Sequence, residues 1–162
     1  MIQPANIAFQ GVVGGTFDTQ ITLFDGNLEY VWYGIWQPFR TYPVNAMVAG
    51  ADANVYASLN EIAENDNPVT DGGTNWAPLD KLNLTGWTGS ATIATTGNPS
   101  GPSVTVAATM GGTEGTVAVK FTGTQMSVFA VGSYDFNIEV IDTDTNNYFP
   151  VIGTIALISP TP

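Results

Sequence analysis

Six aromatic side chains between residues 28 and 81 have the chemistry to bind a sugar or a protein. They are Trp32, Tyr33, Trp36, Tyr42, Tyr56 and Trp76. Sugars lay their apolar C–H faces on exposed rings, and Trp and Tyr combine a large ring with a polar group. Trp and Tyr also anchor protein interfaces, and the close spacing of Trp32, Tyr33 and Trp36 favours such an anchor. A unit of about 50 residues without disulfides needs such rings for its core as well. The six are therefore candidate ligand or partner contacts, with core packing as the alternative.

Catalytic chemistry is restricted by the residues that the sequence lacks. The chain has no histidine and no cysteine. This excludes Ser-His and Cys-His nucleophile pairs, histidine acid–base catalysis and nearly every zinc or iron–sulfur site. Paired carboxylates are the remaining option, but no two of the 14 Asp and Glu residues occupy a recognisable motif. We expect a protein that is not an enzyme and has no cofactor.

The segment Asp142–Asn146 begins like a calcium loop, because oxygen-bearing side chains stand at alternate positions. A complete loop needs Gly at the sixth position and Glu at the twelfth. Asn147 and Gly153 stand there instead. The segment is therefore predicted to be a hairpin turn without a metal.

The charge of the chain argues against nucleic acid as a partner. The net charge is −11, and Arg40, Lys81 and Lys120 are the cations. A polyanion or an anionic membrane surface would be repelled. No apolar run approaches the roughly 20 residues of a membrane-spanning helix, and residues 1–6 do not resemble a secretory signal. We expect no nucleic-acid binding and no membrane insertion.

Alternation of apolar and polar residues predicts the strands that must position these side chains. Tyr134, Phe136, Ile138 and Val140 alternate with polar residues and open a long hairpin that returns through residue 158. A similar strand spans 17–23. About seven such strands, spaced by roughly 8–12 residues, predict an all-β fold, an antiparallel immunoglobulin-like β-sandwich with a small inserted β module.

A change of composition predicts the domain organisation. Residues 1–27 and 82–162 are rich in Thr and Gly, whereas 28–81 are denser in aromatic residues and hold eight of the chain's 18. The first two segments are assigned to one discontinuous sandwich, in which 1–15 form an extended arm and Asp25-Gly26-Asn27 a tight turn. Within the aromatic-rich unit, 55–64 fit a short helix or a strand equally well.

Four segments resemble the N-terminal domain of baseplate upper proteins and related fibre-attachment proteins of tailed bacteriophages. They are GTFDTQITL at 15–23, LTGWTG at 84–89, GSYDFNIEV at 132–140 and GTI at 153–155. In that family the LTG strand follows the first strand after a short turn, whereas here the aromatic-rich unit separates them. The resemblance implies a small β-sandwich that is a structural part of a virion.

The aromatic-rich unit is similar to the chitin-binding-like carbohydrate modules of bacterial glycosidases and phage tail proteins. The similarity lies in Trp36, TYPVNAMV at 41–48, NVYASL at 54–59, Asn67-Pro68 and TNWAPL at 74–79. Asn45-Ala46 replaces the usual Gly-Asp, and a single Trp76 replaces the paired aromatics of many sugar-binding members. This similarity implies a small β module with a glycan contact.

Together the resemblances imply a structural component of a tailed phage virion, located in the baseplate, tail, neck or fibre attachment. The expected partners are other virion proteins, further copies of the chain and a cell-surface glycan. The expected location is the virion, assembled in the bacterial host cytoplasm. A capsid decoration or cement protein is the nearest alternative, and a carbohydrate-binding module is the alternative from another class.

Overall fold

The computed structural model describes residues 5–25 and 30–160, and these residues are largely β-strand. The elements are β1 (Ala5–Val12), β2 (Phe17–Thr22), β3 (Val31–Ile35), β4 (Ala46–Ala49), β5 (Val55–Ser58), β6 (Trp76–Pro78), β7 (Thr88–Ala94), β8 (Ser103–Ala107), β9 (Thr109–Met110), β10 (Thr116–Phe121), a four-residue helix α1 (Gly123–Met126), β11 (Gly132–Ile141) and β12 (Asn147–Ile158). No helix within the described ranges has the length and apolar character needed to cross a membrane. The prediction of an all-β fold is confirmed.

The chain divides into two compact units. The small unit is Phe24–Lys81, and the sandwich unit contains, within the described residues, 5–23 and 82–160. An antiparallel bridge between Phe24 and Lys81, and a hydrogen bond from the Asp25 N–H to the Asp80 carbonyl (2.8 Å), join the two ends of the small unit. Of the predicted turn at Asp25-Gly26-Asn27, the last two residues lie outside the described ranges.

Two sheets enclose the core of the sandwich unit. One has the strand order β1-β12-β11-β7-β8 and the other β2-β10-β9. The alternation predicted for β11 is observed, because its residues from Tyr134 to Val140 are buried at every second position. At the centre, Phe136 packs against the rings of Phe9, Phe17 and Phe121 at centroid distances of 5.0, 5.8 and 6.4 Å. Edge-to-face pairs of this kind add about 0.5–1.5 kcal/mol to the free energy gained by burial.

Residues 5–12 of the expected extended arm instead form β1. This strand pairs in parallel with β12, from Ala5 beside Val151 to Val12 beside Ile158. Because β12 is twelve residues long and pairs with β11 on one side, its other side would otherwise leave a row of N–H and C=O groups unpaired. β1 supplies those partners from within the same chain.

The sheet of the small unit has the order β3-β4-β5-β6, in which β3 and β4 are parallel and the other pairs antiparallel. Residues 55–58, which fitted helix and strand equally well, form β5. The buried Ser58 hydroxyl accepts a hydrogen bond from the Ala46 N–H (2.8 Å) and donates one to the Pro43 carbonyl (2.7 Å). These bonds attach β5 to the start of β4.

Candidate interaction surface of the small unit

Five of the six candidate aromatic residues belong to one packed cluster. Tyr42, Tyr56 and Trp76 are buried in the core of the small unit, and Tyr33 and Trp36 pack against it. The Tyr42 ring lies 5.5 Å from that of Trp76 and 5.8 Å from that of Tyr33, both in edge-to-face geometry. The structure therefore brings these rings together as a core rather than as a row of exposed rings.

Trp76 has no surface on which a sugar ring can stack. Its side chain is 0% exposed. Its indole Nε1–H donates to the Asp66 carbonyl at 3.1 Å, and its backbone N–H donates to Asp71 Oδ2 at 3.0 Å. Both N–H groups of this residue are thus used inside the unit.

The Asp71 carboxylate organises the loop that enters β6. Oδ2 accepts hydrogen bonds from the backbone N–H of Asn75 (2.7 Å) and of Trp76, and Oδ1 accepts one from the Asn75 side chain (3.3 Å). Desolvation has the largest single effect on the Asp71 pKa and raises it. The N–H groups of Trp76, Asn75 and Thr74 together outweigh that effect, so the pKa is lowered. The carboxylate has a structural role here.

The hydroxyls of the two buried tyrosines of the small unit are also used internally. Tyr42 OH accepts a hydrogen bond from the Gln37 N–H at 2.7 Å. Tyr56 OH donates to Asp52 Oδ2 at 2.7 Å, which raises the pKa of Tyr56 and lowers that of Asp52. A ligand would have to displace these bonds in order to use either hydroxyl.

A shallow depression of about 280 Å³ lies beside this core. It is lined by Tyr56, Pro68, Val69, Gly72, Gly73, Trp76 and Pro78. None of these lining residues is charged, and the Tyr56 hydroxyl is bonded to Asp52. The depression thus offers apolar contact without side chains that would orient a sugar.

Trp32 differs from the other five rings because it is 53% exposed. In the parallel pair β3 and β4, Val31 is beside the buried Ala46 and Trp32 is beside Met47. Since successive side chains of a strand point to opposite faces, Trp32 lies on the face opposite to the Ala46 side chain. The register therefore separates Trp32 from the aromatic cluster.

Four further apolar residues near Trp32 in the sequence are exposed, and the sequence interpretation did not identify them. Val31 is 57%, Ile35 70%, Phe39 81% and Val44 50% exposed. We use the name β3 surface for these four residues and Trp32, which are the exposed apolar side chains of β3 and of the loop that follows it. One sequence signal was available: residues 31–44 contain no acidic residue, although the chain contains 14. Apart from this signal, an aliphatic residue that is exposed in a strand cannot be distinguished in the sequence from one that is buried in the core.

Arg40 supplies a cation within this segment. Its guanidinium lies 4.8 Å from the ring centroid of Tyr33 and 5.5 Å from that of Tyr42. Cation–π contacts of this kind contribute about 0.5–1 kcal/mol at exposed sites. Arg40 therefore helps to hold the loop after β3 against the aromatic cluster.

In the sandwich unit, residues 142–146 form the turn between β11 and β12. Asp142 Oδ1 accepts hydrogen bonds from the N–H groups of Asp144 and Asn146, both at 2.9 Å. Its Oδ2 accepts from Asn146 Nδ2 (2.8 Å) and from Tyr148 OH (3.0 Å). Within the described residues, no three His, Cys, Asp or Glu side chains are grouped so that they could hold a metal ion. The Asp142 carboxylate closes the hairpin turn.

This turn is expected to loosen in acid. The hydrogen bond from the Asn146 side chain is the largest cause that lowers the Asp142 pKa below its ordinary value of 3.8, and Tyr148 OH adds to it. A carboxyl group whose pKa is lower in the folded state than in the unfolded state stabilises the fold at pH values above its unfolded-state pKa. This contribution is lost as the pH falls through the folded-state pKa. Amide exchange of Asp144 and Asn146, measured by NMR between pH 7 and pH 2, should accelerate relative to the intrinsic rate only below about pH 4. In Asp142→Asn this pH-dependent step should disappear; its persistence would assign the step to another group.

No protein-family model matches the chain, and no curated protein matches it.

Proposed function

We propose that this chain is a structural subunit of a tailed phage virion, in the baseplate, tail, neck or fibre attachment, and that it acts by subunit–subunit assembly. The observation that carries the proposal is the β3 surface, in which five large apolar side chains are exposed within 31–44. Concentrations of exposed apolar residues mark interaction sites, because burying them against a partner is favourable. A subunit with this surface gains stability on entering an assembly.

The sandwich unit supports the same proposal. The four segments that resemble phage fibre-attachment domains all lie in this unit, in β2, β11, β12 and the residues that lead into β7. The sandwich unit thus supplies the scaffold, and the small unit supplies the exposed apolar side chains. We propose other virion proteins and further copies of the chain as partners, with many copies giving avidity that one weak contact lacks.

The proposal includes a glycan or host-surface contact, but with fewer candidate rings than the six that the sequence indicated. Because Tyr42, Tyr56 and Trp76 are buried, Trp32 and the partly exposed Tyr33 and Trp36 are the ones with open surface among the six candidate rings. A pull-down on chitin and host-envelope glycans should therefore compare the parent protein with Trp32→Ala, and with Leu59→Ala as an exposed control in the same unit. Failure of the parent to bind would remove the carbohydrate-module alternative.

The assembly proposal is tested on purified virions of the phage that encodes the chain. We expect peptides of the protein, by quantitative mass spectrometry, at a fixed copy number in density-purified particles. Immunogold labelling should place them on the tail or its attachments. Labelling of the capsid shell would favour the decoration-protein alternative, and absence from the particles would refute both.

A further inference from the structure

We propose that the β3 surface docks an extended, positively charged segment of a different protein. The proposal rests on the assembly function above and adds the chemistry of the partner. Three features of the small unit carry it: the position of β3 in its sheet, the exposure of Val31 and Trp32 on opposite faces, and the net charge of the unit.

β3 is an edge strand of its sheet, and its edge is protected by an irregularity at Gly34 rather than by a charge or a proline. The opposite edge, β6, has three residues and ends in Pro78, which has no N–H to offer a further strand. β3 has five residues, none of them charged or proline. Gly34, with φ +86, and a register shift between Trp32 and Ile35 interrupt its ladder. A partner segment therefore gains most of its contact from side chains, with a short backbone ladder beside Val31 and Trp32.

β3 has exposed side chains on both faces of the sheet, Val31 on one and Trp32 on the other. Val31 shares a face with the fully buried Ala46, and Trp32 lies on the opposite face with Met47. In a strand with neighbours on both sides, such residues are covered by the adjoining side chains. A segment that lies along β3 would cover Val31 and Trp32 together, whereas a contact with one face alone would leave one of them exposed.

The charge of the small unit selects a cationic occupant. Residues 24–81 contain eight acidic residues and two basic ones, Arg40 and Lys81, a net charge of −6. None of the eight acids lies between 31 and 44, where Arg40 is the charged residue. The bridge between Tyr42 and Ile62, and the hydrogen bond from the Asn65 N–H to the Pro38 carbonyl, bring the segment that carries Glu61 and Glu64 beside 38–42. An apolar centre without carboxylates, inside an acidic unit, is complementary to a segment with apolar residues at its centre and Lys or Arg around them. A second copy would instead bring its own charge of −11 against the same surface.

The test is a selection from a display library of randomised peptides of about twelve residues, with the full chain as bait. Trp32→Ser/Ile35→Ser serves for counter-selection, since both residues are exposed and the double variant keeps the core unchanged. Leu59→Ser, at an exposed position of the same unit, is the matched control. We expect retained peptides to be enriched in Lys and Arg and to alternate these with apolar residues.

A synthesised peptide from the retained set should bind the parent and Leu59→Ser equally, and the double variant at least about tenfold more weakly. Its Kd should rise with salt concentration, because the charges attract. Retained peptides that are neutral or acidic, or the absence of any peptide that distinguishes the parent from the double variant, would overturn the proposal. So would self-association that is strengthened by salt and lost in the double variant, since it identifies a second copy as the occupant. Virion composition is measured separately, so the assembly function and the cationic partner can fail independently.

Discussion

Replacing Trp76 with alanine is expected to lower the free energy of unfolding of the small unit by about 3–5 kcal/mol, the range for large-to-small changes of buried aromatic residues. Trp76 is among the largest fully buried side chains of the described residues. Alanine removes the edge-to-face contact with Tyr42 and leaves the Asp66 carbonyl without its indole donor. The backbone N–H that donates to Asp71 is retained. The loss is therefore that of a core ring, not of a binding-site ring.

Two further variants separate the causes of this loss. Trp76→Phe keeps most of the ring volume and removes the donor, and we expect an intermediate loss of about 1–3 kcal/mol. Trp32→Ala removes a half-exposed tryptophan from the same unit, and its loss should stay below about 1 kcal/mol. Hydrogen exchange of peptides that cover β4, β5 and β6, measured by mass spectrometry, reports the local free energy in each variant. Equal losses in Trp76→Ala and Trp32→Ala would contradict the assignment of Trp76 to the core.

The strand pattern was predictable wherever one face of a strand is buried and the other is wet. In β11 the local sequence alone distinguishes the buried positions, Tyr134 to Val140, from the polar positions between them. The turn at 142–146 was predictable because Asp and Asn side chains bond nearby backbone N–H groups. Pairing partners were not predictable in the same way. Alternation of buried and polar residues in a strand does not determine which other strand will pair with it. The parallel pairing of β1 with β12 joins residues at opposite ends of the sequence.

The six aromatic residues show the same limit at the candidate site. Composition does not distinguish Trp32 from Trp76, because both are tryptophans in a segment rich in aromatic residues. Their difference arises from sheet register: Trp32 lies on an edge strand, on the face opposite to the buried Ala46, whereas Trp76 is held by Asp66 and Asp71 within the core. Such long-range contacts have no local signature. The lack of carboxylates in 31–44 was the one visible sign of the β3 surface.

Replacing Gly115 with alanine is expected to destabilise the sandwich unit by about 2–5 kcal/mol, for two separate reasons. Gly115 has φ +64, a left-handed conformation that costs a residue with a Cβ about 1–2 kcal/mol. The added Cβ would also lie 2.6 Å from the Leu23 carbonyl oxygen and 3.1 Å from the Leu82 nitrogen. These are backbone atoms in a chain of hydrogen bonds, from Leu23 N–H to Gly115 O and from Leu82 N–H to Leu23 O. Relief of the overlap must therefore move backbone rather than rotate a side chain.

Gly97→Ala isolates the conformational part of this effect. Gly97 has almost the same φ, +66, in the same unit, but an added Cβ would have nothing within 4 Å. Its loss should be limited to about 1–2 kcal/mol, and the excess loss in Gly115→Ala measures the steric overlap with Leu23 and Leu82. Urea denaturation of both variants, followed by far-ultraviolet circular dichroism, gives the comparison. Equal losses of unfolding free energy in the two variants would mean that Leu23, Leu82 and Gly115 are not in close backbone contact. A larger loss for Gly115→Ala supports that contact, at which three distant segments of the sandwich unit meet.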